Sequence, residues 1–276
     1  MSINKRAFLF SLLFILLSSS FLKAQADFTL LTWNIQDFGK TKDSLEISGI
    51  AKIIHTYDII AIQEVVSGYG GSQAVARLVD QLNRTGNTWD YAISDPTKSP
   101  KYKTERYAYI WRRTKVKLLA KPWLENSVQK LVFREPFIAR FQVGNRKVLI
   151  MNYHARKHDD QPEQEIKYFK SLYNRKYRNE RVIIAGDFNL KDKHTVFNPL
   201  KAAGFKFAVE NQGTTLKRKC DKKGRFRNHP IDNIFYAPSL VCNIGAVLNH
   251  VRGCFDMKRA RGISDHLPVV AGFIIY

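Results

Sequence analysis

Side chains able to hold a metal ion or move a proton recur in this chain just where apolar runs stop: Asn34, Glu64, His154, Asp187 with Asn189, Asp232, and Asp265 with His266. Each alone suits a turn, because Asp and Asn hydrogen-bond their own backbone there. Recurring together at strand ends, they point to a site built on rigid scaffolding. The oxygens of Glu64, Asp265 and Asn34 are hard donors suited to Mg²⁺, Mn²⁺ or Ca²⁺, with positions left for water and phosphate; zinc would want more nitrogen or sulfur. His154 and His266, each with a carboxylate available elsewhere in the chain, offer a general acid and a general base near neutral pH. A hard cation beside an acid–base pair fits hydrolysis of a phosphate ester, where the barrier falls through positioning and through neutralising charge on the phosphoryl oxygens.

The elements that must position these residues can be read from periodicity. Strands are predicted over 28–33, ending on Asn34, and over 58–62, ending on Gln63 and Glu64; helices over 44–55 and from Ser72, as N-cap, to about Leu82. Further strands follow at 89–94, 106–112 and 116–120. A hairpin pairs 137–143 with 147–153 about Gly144-Asn145. A long polar helix from about Gln161 to Arg178 leads into a strand over 182–185, then come a short helix over 195–203 and strands over 232–236, 240–248 and 267–275. Hairpins and crossovers mixed with a few helices suit an α/β fold of two packed mixed β-sheets flanked by helices, a four-layer sandwich.

The 276 residues suit one large domain, and the 45% hydrophobic content with only 9 Pro and 15 Gly excludes a disordered or fibrous chain. Lys5 and Arg6, the apolar run Phe8–Leu17 and Ala24-Gln25-Ala26 read as a secretory signal over residues 1–26, shorter in its apolar part than the roughly 20 residues of a bilayer span. A working domain over 27–276, secreted or periplasmic, is the expectation, with no membrane span and a monomeric state. Removing the signal's Lys5, Arg6 and Lys23 takes the net charge from +21 to +18, so the surplus belongs to the working domain. Export would carry Cys220, Cys242 and Cys254 to an oxidising compartment; Cys242 with Cys254 or Cys220 with Cys242 are both open, and the sequence does not choose.

A surplus that large favours a polyanionic partner, and the cations crowd near the motifs. The stretch 101–121, which includes Arg106, holds eight cations and one acid; 217–227 holds seven and one; Arg252, Lys258, Arg259 and Arg261 lead into Asp265 and His266. Among the interleaved aromatics, Tyr107 and Trp111 alternate as core residues do, which leaves Tyr102, with Arg106 from the same basic run, to touch nucleic acid.

Thr32-Trp-Asn-Ile-Gln-Asp-Phe-Gly39, Ile62-Gln-Glu-Val65, Gly186-Asp-Phe-Asn-Leu190, Ile231-Asp-Asn-Ile-Phe235 and Ser264-Asp-His-Leu-Pro-Val269 resemble, in order and spacing, the endonuclease/exonuclease/phosphatase superfamily. Lys103-Thr-Glu-Arg-Tyr107 and Phe133-Arg-Glu-Pro136 look like its deoxyribonuclease I branch. The resemblance implies that His154, bonded to Glu105, protonates the leaving 3′ oxygen and that His266, oriented by Asp232, helps activate water, the two roles being nearly symmetric about the phosphate. It also implies that Glu64 and Asp265, with Asn34 beside them, hold the cation, that Asp187 and Asn189 hold the scissile phosphate or a second ion, and that Arg134 contacts a DNA phosphate. Three departures stand out: Val66 where that branch has an Arg for the minor groove, Asn152 where it is apolar, and the cationic stretch 217–227 in place of a short Cys-bearing segment. The expected activity is a secreted, Mg²⁺-dependent (Mn²⁺ or Ca²⁺ as substitutes) DNA endonuclease of low sequence specificity. A sphingomyelinase-type phosphodiesterase, which would need an exposed apolar docking loop, and a non-catalytic polyanion-binding module are the competing readings.

Overall fold

The apolar run that begins at Phe28 forms the strand β1 (Phe28–Phe38) in a computed structural model that describes residues 25–100 and 103–276. Tyr102 and all but the last two residues of the expected export signal therefore lie outside the described residues. After β1 come α1 (Ser44–Ile54), β2 (Ile59–Val66), α2 (Tyr69–Asn83), β3 (Trp89–Ile93), β4 (Glu105–Arg112), β5 (Val116–Leu118), β6 (Trp123–Leu124), β7 (Phe137–Val143) and β8 (Arg146–His154). The second half continues with α3 (Glu163–Ile166), α4 (Phe169–Leu172), β9 (Val182–Asp187), α5 (Asn198–Ala202), β10 (Lys206–Phe207), β11 (Asp232–Tyr236), β12 (Leu240–Val247), α6 (Met257–Ile263) and β13 (Val269–Ile275).

One sheet runs β12-β13-β1-β2-β4-β3 and the other β10-β11-β9-β8-β7-β5, with β6 also on β7. Each is mixed, with β1·β2 and β8·β9 parallel and the remaining pairs antiparallel. A parallel pair needs a crossover, and α1 and the helical stretch 163–177 provide the two. The interior separates into three apolar layers. Phe28, Tyr109, Phe137, Ile150 and Phe273 lie in the layer between the sheets, Trp33, Ile50, Ile62 and Leu78 under α1 and α2, and Tyr153, Phe169, Phe188 and Phe235 under the helical stretch. Three apolar layers separate four layers of secondary structure, the two sheets and the helices outside each, as the strand and helix pattern predicts. Tyr107 and Trp111 are core, at 0% and 4% exposure.

Several local expectations change. Asp43 caps α1, its carboxylate accepting from Glu46 N while Glu46 accepts from Asp43 N. Helix α2 starts at Tyr69 behind Gly68, not at Ser72; Gly71 lies so close to β2 that a Cβ there would sit 2.0 Å from Val66 O, and this approach brings the helix in early. The polar stretch 161–178 is helical but not one helix. It passes from α3 to α4 to a π-turn, Tyr173–Tyr177. Its changing pitch keeps Ile166, Phe169, Leu172, Tyr173 and Tyr177 all buried. Meanwhile Glu165, also buried, accepts the N–H groups of Phe133 and Arg156 at 2.6 and 2.7 Å. The disulfide joins Cys220 to Cys254, neither of the pairings with Cys242, which stays free in β12 opposite Phe273.

His250 is set against the ring of Trp33, centroids 5.4 Å apart, and neither of its buried ring nitrogens has a partner among the described residues. Burial, and then the charge of Arg259, push its pKa down to about 4. An unfolded histidine takes its proton near 6.5, so the unfolded chain binds more protons between those values. The contribution is complete above about pH 6.5 and is lost as pH falls toward 4. Urea unfolding across this window should show a loss on the order of 2 kcal/mol that His250→Phe removes. Parallel profiles for parent and variant would refute the assignment.

Candidate active site

Strand register, more than any single motif, gathers the polar strand ends. His154 ends β8 opposite Asp187 at the end of β9, and Asp187 faces Asp232 at the start of β11. In the other sheet β2 ends beside Glu105, the first residue of β4, through the pair Val66 and Glu105. The turn 264–268 before β13 brings Asp265 and His266 to the same edge, held by pairing of His266 with Thr215. Register shifts at Asn34/Phe38 and Ile62/Val65 re-aim the ends of β1 and β2. Asp37, Glu64 and Asn189 have left-handed backbones, φ 50°, 60° and 51°. Strain of this kind in non-glycine residues collects where a surrounding structure fixes a site.

Two histidine–carboxylate dyads face each other across Asp187. His154 Nδ1 lies 3.0 Å from both oxygens of Glu105, and Arg134 Nε pairs with that carboxylate at 2.9 Å. His266 Nδ1 lies 3.0 and 2.9 Å from the oxygens of Asp232. The two Nε2 atoms stand 3.6 and 3.8 Å from one atom, Asp187 Oδ2. The dyads open on a cleft of about 780 Å³ lined also by Glu64, Lys103, Arg134, Lys157, Asn189 and Asp265.

The electrostatics follow from these neighbours. Burial works against a charged His154, but Glu105 outweighs it and the ring's pKa is raised, with Arg134 opposing. Burial likewise opposes a charged His266, yet Asp232, Asp187 and Asp265 raise it to about 10. Burial would lift the Glu105 carboxyl, and His154 with Arg134 holds it below its ordinary value. Burial and the neighbouring Asp232 push Asp187 up.

Asn34, Glu64 and Asp187 form a continuous polar chain, Asn34 Nδ2 donating to Glu64 Oε1 at 2.9 Å and to Asp187 Oδ2 at 3.1 Å. The amide oxygen of Asn34 is buried without a partner among the described residues. An unmatched hard oxygen beside Glu64, with Asp265 on the same cleft, fits a divalent cation with oxygen ligands. Asp187, Asp232 and His266 also present donors within 4.8 Å of one another. There Asp232 is already engaged by His266 and by Thr214, whose hydroxyl donates to Oδ2 at 2.6 Å, so those residues suit proton handling better than ligation.

Arg134 is buried in the cleft wall, reaching Glu105 and Ala155 O. Asn189 closes on Asp187 through its backbone N–H at 2.8 Å. Arg106, expected to touch DNA, is turned to another task. Its guanidinium donates to the carbonyls of Ser67 and Ser94 at 2.9 and 2.8 Å, matching a free carbonyl just before α2 and another just after β3. The sequence reading missed Thr214 and Ser264. Ser264 Oγ donates to Asn34 O at 2.6 Å and accepts from His266 N at 3.0 Å, tying the turn before β13 to the end of β1 at the site. Ser264 opens the segment Ser264–Val269 but carries no metal-competent or readily titrating group that would single it out, and Thr214 lies in a loop that no pattern marks. Asn152 also acquires a reason: it accepts from Gln63 Nε2 at 2.6 Å and donates to Ile62 O and Ala108 O, bridging the sheets beneath the cleft.

Residues 31–266 match the model of the Endonuclease/Exonuclease/phosphatase family. The chain is similar to Deoxyribonuclease-1 of Bos taurus, 28% identical over 87% of this chain and 90% of the relative. With Deoxyribonuclease-1 of Rattus norvegicus the identity is 30% over 90% and 92%. A solved endonuclease/exonuclease/phosphatase from Bacteroides vulgatus shares the fold, with a TM-score of 0.64 and 17% identity over 90% of this chain and 99% of that one.

Proposed function

Because the chain belongs to the Endonuclease/Exonuclease/phosphatase family, we propose that it is a divalent-metal-dependent endonuclease hydrolysing phosphodiester bonds in DNA with little sequence preference. The observation that carries this reading is the pair of opposed dyads, both Nε2 atoms within 3.8 Å of one Asp187 oxygen. An in-line displacement needs a proton donor and a proton acceptor on opposite sides of one phosphorus. The deoxyribonuclease names of the relatives add DNA as the substrate.

In this mechanism His266 Nε2 takes a proton from the attacking water as the water oxygen bonds to phosphorus. His154 Nε2 gives its proton to the departing 3′ oxygen as that P–O bond breaks. Glu105 and Asp232 hold the rings through Nδ1, each fixing one tautomer and stabilising the imidazolium. Asp187 and Asn189 hold the scissile phosphate or a second ion, and Arg134 contacts a backbone phosphate. Glu64, Asp265 and Asn34 are the metal ligands of this reading. A divalent cation bound there supplies positive charge that neutralises the phosphoryl oxygens and offsets the carboxylates keeping His266 protonated. Mg²⁺ is the proposed ion, with Mn²⁺ or Ca²⁺ as substitutes. The first 26 residues are proposed to direct secretion or periplasmic export, and the mature domain to act as a monomer; no helix among the described residues is long and apolar enough to cross a membrane.

Mature protein with supercoiled plasmid and Mg²⁺ should give nicked circles, and EDTA should abolish the nicking. Parallel reactions with RNA and with sphingomyelin set the substrate class. Lipid turnover without nicking would overturn the proposal, as would nicking indifferent to EDTA its metal dependence.

A further inference from the structure

A ribbon of chain beside the cleft carries charge that the proposed reaction does not use. Its base is bonded directly to the catalytic turn: Leu216 N–H donates to Asp265 O at 2.7 Å, Leu267 N–H to Thr214 O at 2.6 Å, and Thr215 pairs with His266. Leu216 pairs in turn with Arg227 on the returning limb. The ribbon therefore leaves the site about 5 Å, one strand spacing, from His266. Its tip is fixed twice. Cys220 is disulfide-bonded to Cys254 just before α6, and Asp221 accepts from the N–H groups of Lys223 and Arg225 at 2.9 and 3.0 Å.

Asp221 is the one acid in the stretch 217–227, and its carboxylate pairs with Lys217 and Arg225. Arg218, Lys219, Lys222 and Lys223 are exposed and make no ion pair with any described residue. A solvated surface normally mixes both signs. Here like charges are instead carried together on a covalently stapled ribbon, and a polyanion is the partner that would relieve their repulsion. Five residues of extended chain reach about 17 Å. Duplex DNA carries one charge per about 1.7 Å of axis, so a duplex seated at His266 passes the ribbon's cations within roughly half a turn.

We propose that this ribbon is a second, sequence-independent contact for the backbone of the same DNA, a few base pairs from the scissile bond. The inference rests on the DNA reading of the cleft. It makes the cationic stretch the chain's own docking device, beside a cleft rim that presents the uncharged Val66.

The test compares the parent with R218Q/K219Q/K222Q/K223Q and with a control, K117Q/R146Q/K147Q, which removes exposed cations near the opposite end of β8. Affinity for a duplex of about 30 base pairs is measured in EDTA over about 50 to 200 mM salt; each lost phosphate contact should flatten the slope of log K against log salt by about 0.9, and the ribbon variant by about 2 to 4. With Mg²⁺, kcat/KM on plasmid should fall about tenfold or more, while cleavage of a dinucleotide phosphodiester, too short to reach the ribbon, stays at parental rate. The control should keep the parental slope. A slope change below about one, or equal loss in the control, overturns the proposal. So does ribbon-dependent binding to phosphatidylserine vesicles but not to DNA. Binding is read without cleavage, so the two readings fail separately. A parent that binds through the ribbon yet nicks no plasmid overturns the catalytic reading alone, and one that nicks plasmid with a slope indifferent to the ribbon overturns the ribbon alone.

Discussion

His154→Ala and His266→Ala should each lower kcat on plasmid DNA by about two orders of magnitude or more, the usual scale for a general acid or base, while duplex affinity in EDTA stays within a few-fold of the parent. The separation of rate from binding is the informative part. Each ring reaches its carboxylate through Nδ1 and presents Nε2 to the cleft, so removing it deletes a proton-transfer atom, and the positive charge that goes with it is one already paired with Glu105 or Asp232. The double variant should fall little further than either single, because groups that act in one transition state are not additive. Losing a ring also strands its partner. Glu105 in His154→Ala keeps Arg134 at 2.9 Å, whereas Asp232 in His266→Ala keeps, among the described residues, the hydroxyl of Thr214 and no cation. The His266 variant should therefore be the less stable of the two. Single-turnover rates with saturating enzyme measure the chemical step directly. Near-parental rate in either variant would remove its ring from the mechanism.

The residues of the candidate site could be picked out because they sit at the ends of apolar strands, and strand ends are what periodicity locates best. His154, Asp187 and Asp232 become neighbours through three consecutive strands in register, an arrangement that follows once the strands are known to share a sheet. What periodicity cannot carry is any residue whose role depends on a turn's path. Thr214 and Ser264 matter through one hydroxyl each, and Gly213-Thr214-Thr215 looks like any loop. The same limit applies to Arg106. Its place in a basic run suggested a phosphate contact, but the carbonyls of Ser67 before α2 and Ser94 after β3 claim its Nε and Nη1. In the stretch 161–178 the apolar spacing correctly marks the buried face, yet it is silent on pitch, so one helix was expected where α, α and π segments follow one another. The disulfide depends on the ribbon folding back toward α6, a long-range contact that spacing among three cysteines does not encode.

Gly186→Ala should be the most damaging single methyl in the molecule, destabilising it by about 4 kcal/mol or more, the range reached only when the core or backbone has no room to relax. Gly186 adopts φ 149°, and a Cβ there would stand 1.8 Å from Tyr153 O and 2.8 Å from Tyr153 C. The obstacle is backbone, so no side-chain rotation relieves it. Tyr153 cannot retreat either: it is fully buried, with its ring 4.7 Å from Phe169 and 6.0 Å from Phe188. Relief requires β8 and β9 to part at the pair Tyr153–Gly186, immediately before His154–Asp187. Whatever fraction still folds should therefore turn over poorly, since the two Nε2 atoms lose their common reference at Asp187. Gly144→Ala is the matched comparison. It also has a left-handed backbone, φ 56°, but nothing lies within 4 Å of the added Cβ, so only the conformational cost of about 1–2 kcal/mol applies. Urea midpoints for both variants, read beside plasmid nicking, separate the steric effect from the backbone preference; equal losses at the two glycines would show that contact with Tyr153 is not what constrains Gly186.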